Sequence, residues 1–313
     1  MSVIVLKSGI HDTVQDGGRY GFGRFGINPG GAMDLSALRT GNLLMRNKEH
    51  LPSVELHFPA SEFRFEQTCG FSLSGGDFCP ELDGKRLETG RAYTADKGAV
   101  LRFRKKISGE RCYLSVRNGF DIESWLGSCS TNTTAKIGGF RGRPLDDGDR
   151  LEFLAPEPIE TGPRAGVRPY ENSKIVRFVP GPSFSELTAI SHASLKNRPF
   201  EIRSDSDRMG SRLKGEPLYL LNDEERISAA VTRGTIQLLP DGNVIILMAD
   251  HQTHGGYPDL GTVIAPDVAG LAQLGPGDEF RLVPISIPEA EQAFLIHEQG
   301  FRYLKTGLRL FRN

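Results

Sequence analysis

Short runs of alternating apolar and polar residues, separated by glycine-containing turns, recur along almost the whole chain. They cover residues 62–65, 71–73, 99–104, 111–117 and 150–154 in the first half, and 175–179, 200–203, 244–248, 261–265 and 279–283 in the second. Such alternation indicates strands with one buried face. Because the chain contains 37 glycines and 19 prolines, long helices can occupy only a minor share of it. The sequence therefore predicts a mainly β fold.

Local turn and cap signals refine this prediction. The pair Asp83-Gly84 is typical of a tight hairpin turn, because both central residues tolerate positive φ. Asp34 can cap a helix over residues 35–46. A second helix is predicted over residues 185–195, and a third near the carboxyl end, where Gly300 can break it. We therefore expect a few peripheral helices.

The middle of the chain has the composition of a linker. Residues 155–174 contain several prolines and little apolar periodicity. A length of 313 residues allows two domains of about 150 residues each. We predict a first β-barrel domain over residues 1–155, a Pro-rich linker over 156–172, and a second β-barrel domain with a C-terminal helix over 173–313.

Charge and cysteine usage exclude several classes of protein. Lys and Arg number 38 and Asp and Glu 39, and the net charge of −1 argues against nucleic-acid or membrane-surface partners. No segment has the length of a transmembrane helix, and the apolar run before Lys7 is too short for a signal peptide. The cysteines form no CxxC pair. We expect a cytoplasmic protein with reduced thiols.

Glycine and arginine concentrate in a few segments of the first half. Residues 15–26 combine glycines with Arg19 and Arg24, so backbone amides and guanidinium groups can bind a carboxylate or phosphate there. The alternative is a structural Ω-loop. The start of the helix after Asp34 can likewise hold an anion, unless the Asp34 side chain itself caps the free amides.

A second cluster of small and basic residues covers 127–131 and 138–143. The hydroxyl groups of Ser130 and Thr131 and the guanidinium of Arg141 can bind a phosphate or carboxylate. The same residue types also build capped turns. Both interpretations remain open at this point.

The second half repeats this chemistry. Arg208 follows Asp207, which is available to fix its guanidinium, although a surface ion pair is equally compatible with the sequence. Residues 250–258 follow an apolar strand and place histidine, glutamine and tyrosine where a pocket mouth often lies. His251 and His254 have no identifiable third ligand, so no metal is predicted.

Several nucleotide and hydrolase signatures are absent from the sequence. It has no GxxxxGK[ST] phosphate loop, no GxGxxG fingerprint between a strand and a helix, and no GxSxG nucleophile elbow. A biotin-carrier lysine between methionines is also missing. Any nucleotide or biotin chemistry therefore needs help from another protein.

Six segments in order carry a family resemblance. They are residues 13–21, 31–34, 127–131, 138–143, 207–213 and 252–258. Together they resemble the allophanate hydrolase subunit 2 family, whose members are also labelled biotin-dependent carboxyltransferase-like, KipA-like or the C subunit of bacterial ATP-dependent 5-oxoprolinase. The resemblance implies two cyclophilin-like β-barrel domains. Departures occur at His254, where a threonine is expected, and at Gly30, where a serine is usual, and they bear on the substrate.

The resemblance also implies partners and a reaction. A KipI-like protein and a LamB-like protein are expected to act as the other two subunits with such a chain, using ATP to open 5-oxoproline to glutamate. ATP is expected as the cofactor, bound jointly with the KipI-like partner, and the single chain is expected to be inactive alone. One alternative is a biotin-dependent carboxyltransferase component for a urea-like substrate, with biotin as cofactor. Another is a non-catalytic, KipA-like antagonist of a kinase inhibitor.

Under the leading hypothesis, charged groups bind anions and amide-binding groups hold a lactam or amide substrate. The predicted catalytic residues are Arg208, His254 and Tyr257. The predicted substrate-binding residues are Arg19, Asp34, Ser130, Thr131, Arg141, Gln237, Gln252, Gly255 and Gly256. Guanidinium groups and backbone amides suit the negative charge that phosphoryl chemistry develops.

Overall fold

The chain forms two compact units in a computed structural model that describes residues 1–159, 166–167, 174–222 and 226–310. The first unit comprises Met1–Arg19, Gly30–Glu171 and Gly300–Asn313, and the second comprises Tyr20–Pro29 and Asn172–Gln299. The short segment Tyr20–Pro29 thus belongs to the second unit although the first unit surrounds it in sequence, and Gly300–Asn313 belongs to the first unit although it follows the second in sequence. Most of the predicted linker, residues 156–172, lies outside the described residues, so the linker and the predicted domain boundaries stay predictions.

The strands of the first unit form two antiparallel sheets. In chain order they are β1 (Ser2–Lys7), β2 (Thr13–Gln15), β3 (Ser53–Leu56), β4 (Glu62–Phe65), β5 (Cys69–Asp77), β6 (Pro80–Leu82), β7 (Lys85–Arg86), β8 (Arg91–Ala95), β9 (Val100–Phe103), β10 (Ser108–Val116) and β11 (Arg150–Glu152). Among the described residues, one sheet has the order β11-β1-β4-β9-β6-β7 and the other β2-β3-β10-β5-β8.

The period-2 pattern of the sequence explains the core of this unit. In β4, Phe63 and Phe65 are buried while Arg64 between them is exposed. The Phe65 ring lies 5.1 Å from that of Phe71 and 6.5 Å from that of Phe153, between ring centroids. Burying one such side chain stabilises the fold by about 1.5–3 kcal/mol.

The predicted hairpin turn is confirmed. Leu82 in β6 pairs with Lys85 in β7, and the two residues between them, Asp83 and Gly84, have φ of 50° and 80°. Positive φ at both positions matches the twist of the flanking strands. Asp83 additionally accepts a hydrogen bond from the Val100 amide at 2.8 Å, which ties the turn to β9.

Helix α1 (Leu35–Leu44) packs on the five-stranded sheet of the first unit. Its predicted cap is confirmed, because the Asp34 side chain accepts a hydrogen bond from the Ala37 amide at 2.8 Å. Gly41 allows the close approach of helix and sheet. A Cβ there would lie 2.7 Å from the hydroxyl oxygens of both Ser74 and Ser115.

The second unit is built on a closed barrel. Its strands are β12 (Ile175–Pro180), β13 (Phe200–Ile202), β14 (Gly210–Lys214), β15 (Ala229–Ala230), β16 (Thr235–Leu238), β17 (Val244–Leu247), β18 (His254–Gly255), β19 (Asp259–Val263) and β20 (Glu279–Pro284). The barrel order is β12-β19-β16-β17-β14-β13-β20, and only β12 and β20 pair in parallel among the described barrel strands. β15 and β18 form a separate two-stranded sheet. The mainly β fold with few helices is therefore confirmed.

The other α-helices of the described residues are α2 (Ala189–Asn197), α3 (Ala265–Leu271) and α4 (Ile287–Leu310). The expected break at Gly300 is wrong, because α4 continues through it. One interior glycine costs only about 1 kcal/mol, and the next residue, Phe301, is buried with the Arg39 guanidinium 3.7 Å from its ring centroid. Among the described helices, none is long and apolar enough to cross a membrane.

Candidate functional site

Asp16 joins three of the predicted segments of the first unit. Its backbone carbonyl accepts a hydrogen bond from the Ala32 amide at 2.9 Å. Its carboxylate accepts four more hydrogen bonds, which link residues 13–21 to residues 127–131. The donors, at 2.6 to 2.8 Å, are the hydroxyl groups of Ser128 and Ser130 and the backbone amides of Gly18 and Cys129. Asp16 lies inside one of the six segments but was not predicted as a site residue.

Three predicted binding residues lie in the interior of the first unit. Arg19 is 2% exposed, and its guanidinium donates to the Ser130 carbonyl oxygen and lies 5.2 Å from the Trp125 ring centroid. The Thr131 hydroxyl donates to the Val14 carbonyl at 2.8 Å. Ser130 and Thr131 are both buried, and both hydroxyl groups donate within the fold. The role of these residues in ligand binding stays a prediction.

A buried acid supports the start of α1. The Asp34 amide donates to the Tyr113 hydroxyl at 2.8 Å, and that hydroxyl donates to Glu55 Oε2 at 2.7 Å. Glu55 Oε2 also accepts from the Met33 amide at 2.8 Å. Burial, together with the Glu55 charge, raises the pKa of Tyr113 well above its usual value, so the phenol stays protonated. A glutamate inside an apolar strand was the sequence signal for this network.

The loop of residues 138–143, which carries Arg141, packs closely against residues 127–131. A Cβ on Gly138 would lie 2.2 Å from the Ser130 carbonyl oxygen, and a Cβ on Gly139 would lie 1.8 Å from Thr131 Oγ1. Both glycines also have positive φ, of 67° and 53°. Glycine is therefore required at both positions. Arg141 itself is exposed, so solvent reaches this predicted site residue.

Arg208 in the second unit forms a largely buried ion pair. Its Nε lies 2.8 Å from Asp250 Oδ2 and its Nη2 lies 3.2 Å from Asp250 Oδ1. The expected partner, Asp207, instead accepts from the amides of Met209 and Gly210 in its own turn. The local pairing prediction was wrong because an Asx turn satisfies Asp207. Arg208 thus fixes the residue from which the 250–258 loop starts.

The 250–258 loop lines a cavity of about 760 Å³ in the second unit. Predicted site residues on its surface are Gln252, His254, Gly255, Gly256 and Tyr257. Arg226, several leucines and two prolines complete most of the lining. A second cavity, of about 420 Å³, shares Gln252 and Tyr257 and adds Gln237. The structure thus brings six of the predicted site residues together around two cavities.

The Gln237 side chain has unused hydrogen-bonding capacity. Its Oε1 accepts from Gln252 Nε2 at 3.3 Å, but its own Nε2 is buried and has no hydrogen-bond partner among the described residues. A Cβ on Gly255 would lie only 2.3 Å from this nitrogen. Glycine there allows the backbone to pass beside the amide. Leaving a buried donor unpaired costs free energy of folding, so we expect a ligand to supply an acceptor for this nitrogen.

The two histidines of the loop differ in environment. His251 is buried, and its Nδ1 lies 2.6 Å from the Gln252 carbonyl oxygen, which fixes the hydrogen on Nδ1 because a carbonyl only accepts. Burial lowers the pKa of His251, which favours the neutral ring. His254 is exposed and its Nδ1 lies 3.0 Å from Thr253 Oγ1. In the described part of the chain, His, Cys, Asp and Glu side chains form no metal-binding group of three.

These features suit the binding of a small polar ligand in the second unit. Carboxamide, phenol and imidazole groups offer both donors and acceptors, and apolar side chains exclude water.

A protein-family model matches most of this chain. The family model described as carboxyltransferase domain, subdomain A and B, matches residues 25–284, so the chain belongs to this family. The resemblance drawn from the six segments is thereby confirmed.

Curated relatives of nearly equal length carry a more specific name. The chain is 35% identical over 300 residues to the 5-oxoprolinase C subunit of Escherichia coli (strain K12), covering 96% of both chains. It is 36% identical to the 5-oxoprolinase C subunit of Haemophilus influenzae, covering 89% of both. It is also 28% identical to urea amidolyase of Lachancea kluyveri, covering 97% of this chain but 18% of that one.

Solved structures share the fold. The K. lactis urea amidolyase superposes with a TM-score of 0.89 at 25% identity, covering 97% of this chain and 20% of that one. The structure of TTHA0988 superposes with a TM-score of 0.81 at 29% identity, covering 90% of this chain and 55% of that one. The chain therefore spans only part of the length of these two proteins.

Proposed function

We propose that this chain is the C subunit of an ATP-dependent 5-oxoprolinase. In this proposal it acts with a KipI-like and a LamB-like partner to convert 5-oxoproline to glutamate. The two relatives named as 5-oxoprolinase C subunits support it, because they match the chain over nearly its whole length. Since the sequence has no phosphate loop, ATP binds jointly with the KipI-like partner and the single chain is inactive alone.

The unpaired Gln237 Nε2 is the structural observation that carries this proposal. Gln252 Nε2 donates to Gln237 Oε1, so the pair keeps one donor, Gln237 Nε2, and one acceptor, Gln252 Oε1, for a ligand. A lactam presents a carbonyl oxygen and an N–H on the same edge of its ring. The glutamine pair is therefore complementary to that edge.

The chemistry needs the lactam to be held and activated. An amide is a poor electrophile, and ATP supplies the phosphoryl group that the lactam oxygen accepts as ADP leaves. One water then adds to the activated carbon and the C–N bond breaks, which leaves an acyl phosphate. A second water displaces the phosphate and yields glutamate. In this scheme Gln237 and Gln252 orient the lactam, Tyr257 donates a hydrogen bond from the cavity surface, and His254 moves a proton. Arg208 acts through the loop that it fixes.

Gln237→Leu tests the proposal in the assembled complex of the three proteins. We expect 5-oxoproline-dependent ATP hydrolysis to fall about tenfold or more, because the variant cannot donate to the lactam oxygen. The melting temperature should stay the same or rise, since leucine removes a buried unpaired donor. Turnover and melting temperature are measured on the same preparations.

Gln292→Leu provides the matched control, because Gln292 is exposed on α4. It should change neither turnover nor the melting temperature appreciably. Wild-type turnover in Gln237→Leu would remove the glutamine pair from the site. Absence of any 5-oxoproline-dependent turnover in the wild-type complex would refute the proposed function itself.

Carboxyl transfer to a urea-like acceptor is the second candidate. The family description and the likeness to urea amidolyase favour it, and urea presents the same carbonyl and N–H edge as a lactam. This reaction needs biotin on a carrier and a biotin carboxylase from other proteins. Urea-dependent turnover with those proteins, and none with 5-oxoproline, would select it. A stable complex with the KipI-like partner that turns over neither substrate would select the KipA-like regulatory role.

A further inference from the structure

A separate cavity of about 450 Å³ lies within the first unit. Its surface carries charged side chains of both signs and two aromatic rings, which belong to Lys136, Arg141, Asp121, Glu123, Trp125 and Phe140. None of these residues belongs to the glutamine pair or to the loop that the proposed function uses. The proposed function therefore assigns no ligand to this cavity.

The two cations of this cavity stand on strained backbone. Lys136 has φ of 56° and Arg141 has φ of 59°, in the left-handed region that residues with a Cβ rarely adopt. Such a conformation costs about 1–2 kcal/mol per residue and persists where the surroundings hold it. The surroundings do so here, because a Cβ on Gly142 would lie 2.2 Å from the Lys136 carbonyl.

Neither cation forms an ion pair with the described residues, although the Arg141 charge interacts at longer range with the Asp149 carboxylate. Among the described residues, no carboxylate lies within 4 Å of the Lys136 or Arg141 charge, although Asp121 and Glu123 line the same cavity. Arg141 is instead directed by an aromatic ring, since its guanidinium carbon lies 5.0 Å from the Phe140 centroid. Two cations on strained backbone that form no ion pair with the described residues provide a preorganised site for an oxyanion.

The rest of the cavity restricts the ligand further. Trp125 is held by the Arg19 guanidinium, 5.2 Å from its ring centroid, and by backbone hydrogen bonds with Ser128. Asp121 and Glu123 are acceptors at the same cavity and suit an ammonium or hydroxyl group of the ligand. The neighbouring hydroxyl groups of the 127–131 segment donate within the fold. The two cations are therefore the groups that can bind an anionic part of the ligand.

We infer that this cavity binds a small ligand through a phosphoryl or carboxylate group held by Lys136 and Arg141. A donor group on the same ligand faces Asp121 and Glu123. The inference does not depend on the proposed function, because it uses neither the glutamine pair nor the 250–258 loop and needs no partner protein. Phosphoryl and carboxylate groups both present negatively charged oxygens to the two cations, and the experiment below distinguishes them.

The single tryptophan of the sequence, Trp125, reports on this cavity. The purified full-length chain is titrated with pyrophosphate in one arm and with L-glutamate in the other, at constant ionic strength, while tryptophan fluorescence is recorded. We expect a saturable change in at least one arm. A change with pyrophosphate alone assigns a phosphoryl group, and a change with glutamate alone assigns a carboxylate. No saturable change in either arm overturns the inference.

Lys136→Asn and Arg141→Asn remove the charges but keep a residue that tolerates left-handed backbone. Each should weaken binding about tenfold or more, because one charge-assisted hydrogen bond is lost. Lys105→Asn is the matched control, since Lys105 is exposed in the same unit and does not line the cavity. Equal affinity in all three variants and the wild type would also overturn the inference.

Discussion

Buried polar side chains in the two units use their hydrogen-bonding groups differently. In the first unit, the Asp16 carboxylate accepts four hydrogen bonds and holds neighbouring segments together. In the second unit, Gln237 is buried with one amide nitrogen that has no partner among the described residues. Polar side chains of similar chemistry therefore serve the fold in one case and leave binding capacity in the other.

This contrast shows what separates a structural polar residue from a binding residue. Ser130 and Thr131 were predicted to bind substrate because of their hydroxyl groups, but those groups donate within the fold. Gln237 was predicted for the same kind of reason, and its Nε2 donor has no partner in the part of the chain that the structure describes. The residue type alone therefore does not show whether a polar side chain binds a ligand. The number of hydrogen bonds that the side chain already makes within the fold is the better indicator.

The largest expected effect concerns Asp16. Asp16→Ala should lower the free energy of unfolding by roughly 3–5 kcal/mol, because several buried donors lose their acceptor at once. Urea unfolding followed by circular dichroism measures it. Ser128→Ala, which removes only one of those donors, should cost about 1 kcal/mol. Equal stabilities for Asp16→Ala and Ser128→Ala would contradict the description of Asp16 as a shared acceptor.

Local signals of the sequence predicted much of the fold. The Asp34 cap, the Asp83-Gly84 turn and most strands depend on residues within a few positions of each other, and all are observed. Helix α3 was missed, because only its first residue, Ala265, was assigned, as the end of the preceding strand, and no element was predicted for residues 266–271. The closure of the barrel through parallel pairing of β12 and β20 depends on residues about a hundred positions apart, which no local pattern shows.

The candidate site shows the same limit. The sequence placed Gln252, Gly255 and Tyr257 in one loop, and they line one cavity. Arg208, however, pairs with Asp250 across the barrel strands and not with the adjacent Asp207. Tertiary packing decides whether the arginine pairs with the adjacent aspartate or with one that is distant in sequence. Spacing in the sequence therefore could not predict this ion pair.

A smaller effect is expected from pH, and it has opposite signs in the two units. Burial raises the pKa of Asp12 in the first unit from 3.8 to about 6, despite hydrogen bonds from Ser61 and the His57 amide. Because the folded pKa lies above the unfolded one, the stability that Asp12 contributes is complete below pH 3.8 and is lost as pH rises through about 6. Burial lowers the pKa of His251 in the second unit, so its contribution is lost as pH falls.

Asp12→Asn isolates the first of these contributions. The difference in unfolding free energy between wild type and Asp12→Asn should change by on the order of 2–3 kcal/mol between about pH 4 and pH 7. Asparagine, like the protonated acid, carries no charge, so the variant should gain relative to wild type as pH rises. Urea unfolding across this range measures the difference. A pH-independent difference would show that Asp12 has the same pKa in both states.

The smallest expected effect on stability is that of Tyr257→Phe. Tyr257 is 47% exposed and lines the cavities of about 760 and 420 Å³, and its hydroxyl makes no hydrogen bond to the described residues. Its loss should therefore change the unfolding free energy by less than about 0.5 kcal/mol. If the hydroxyl donates to the ligand, turnover of the complex should still fall roughly three- to tenfold, which corresponds to one ordinary hydrogen bond. Turnover and unfolding are measured together, and unchanged turnover would exclude Tyr257 from the site while leaving the Gln237 argument intact.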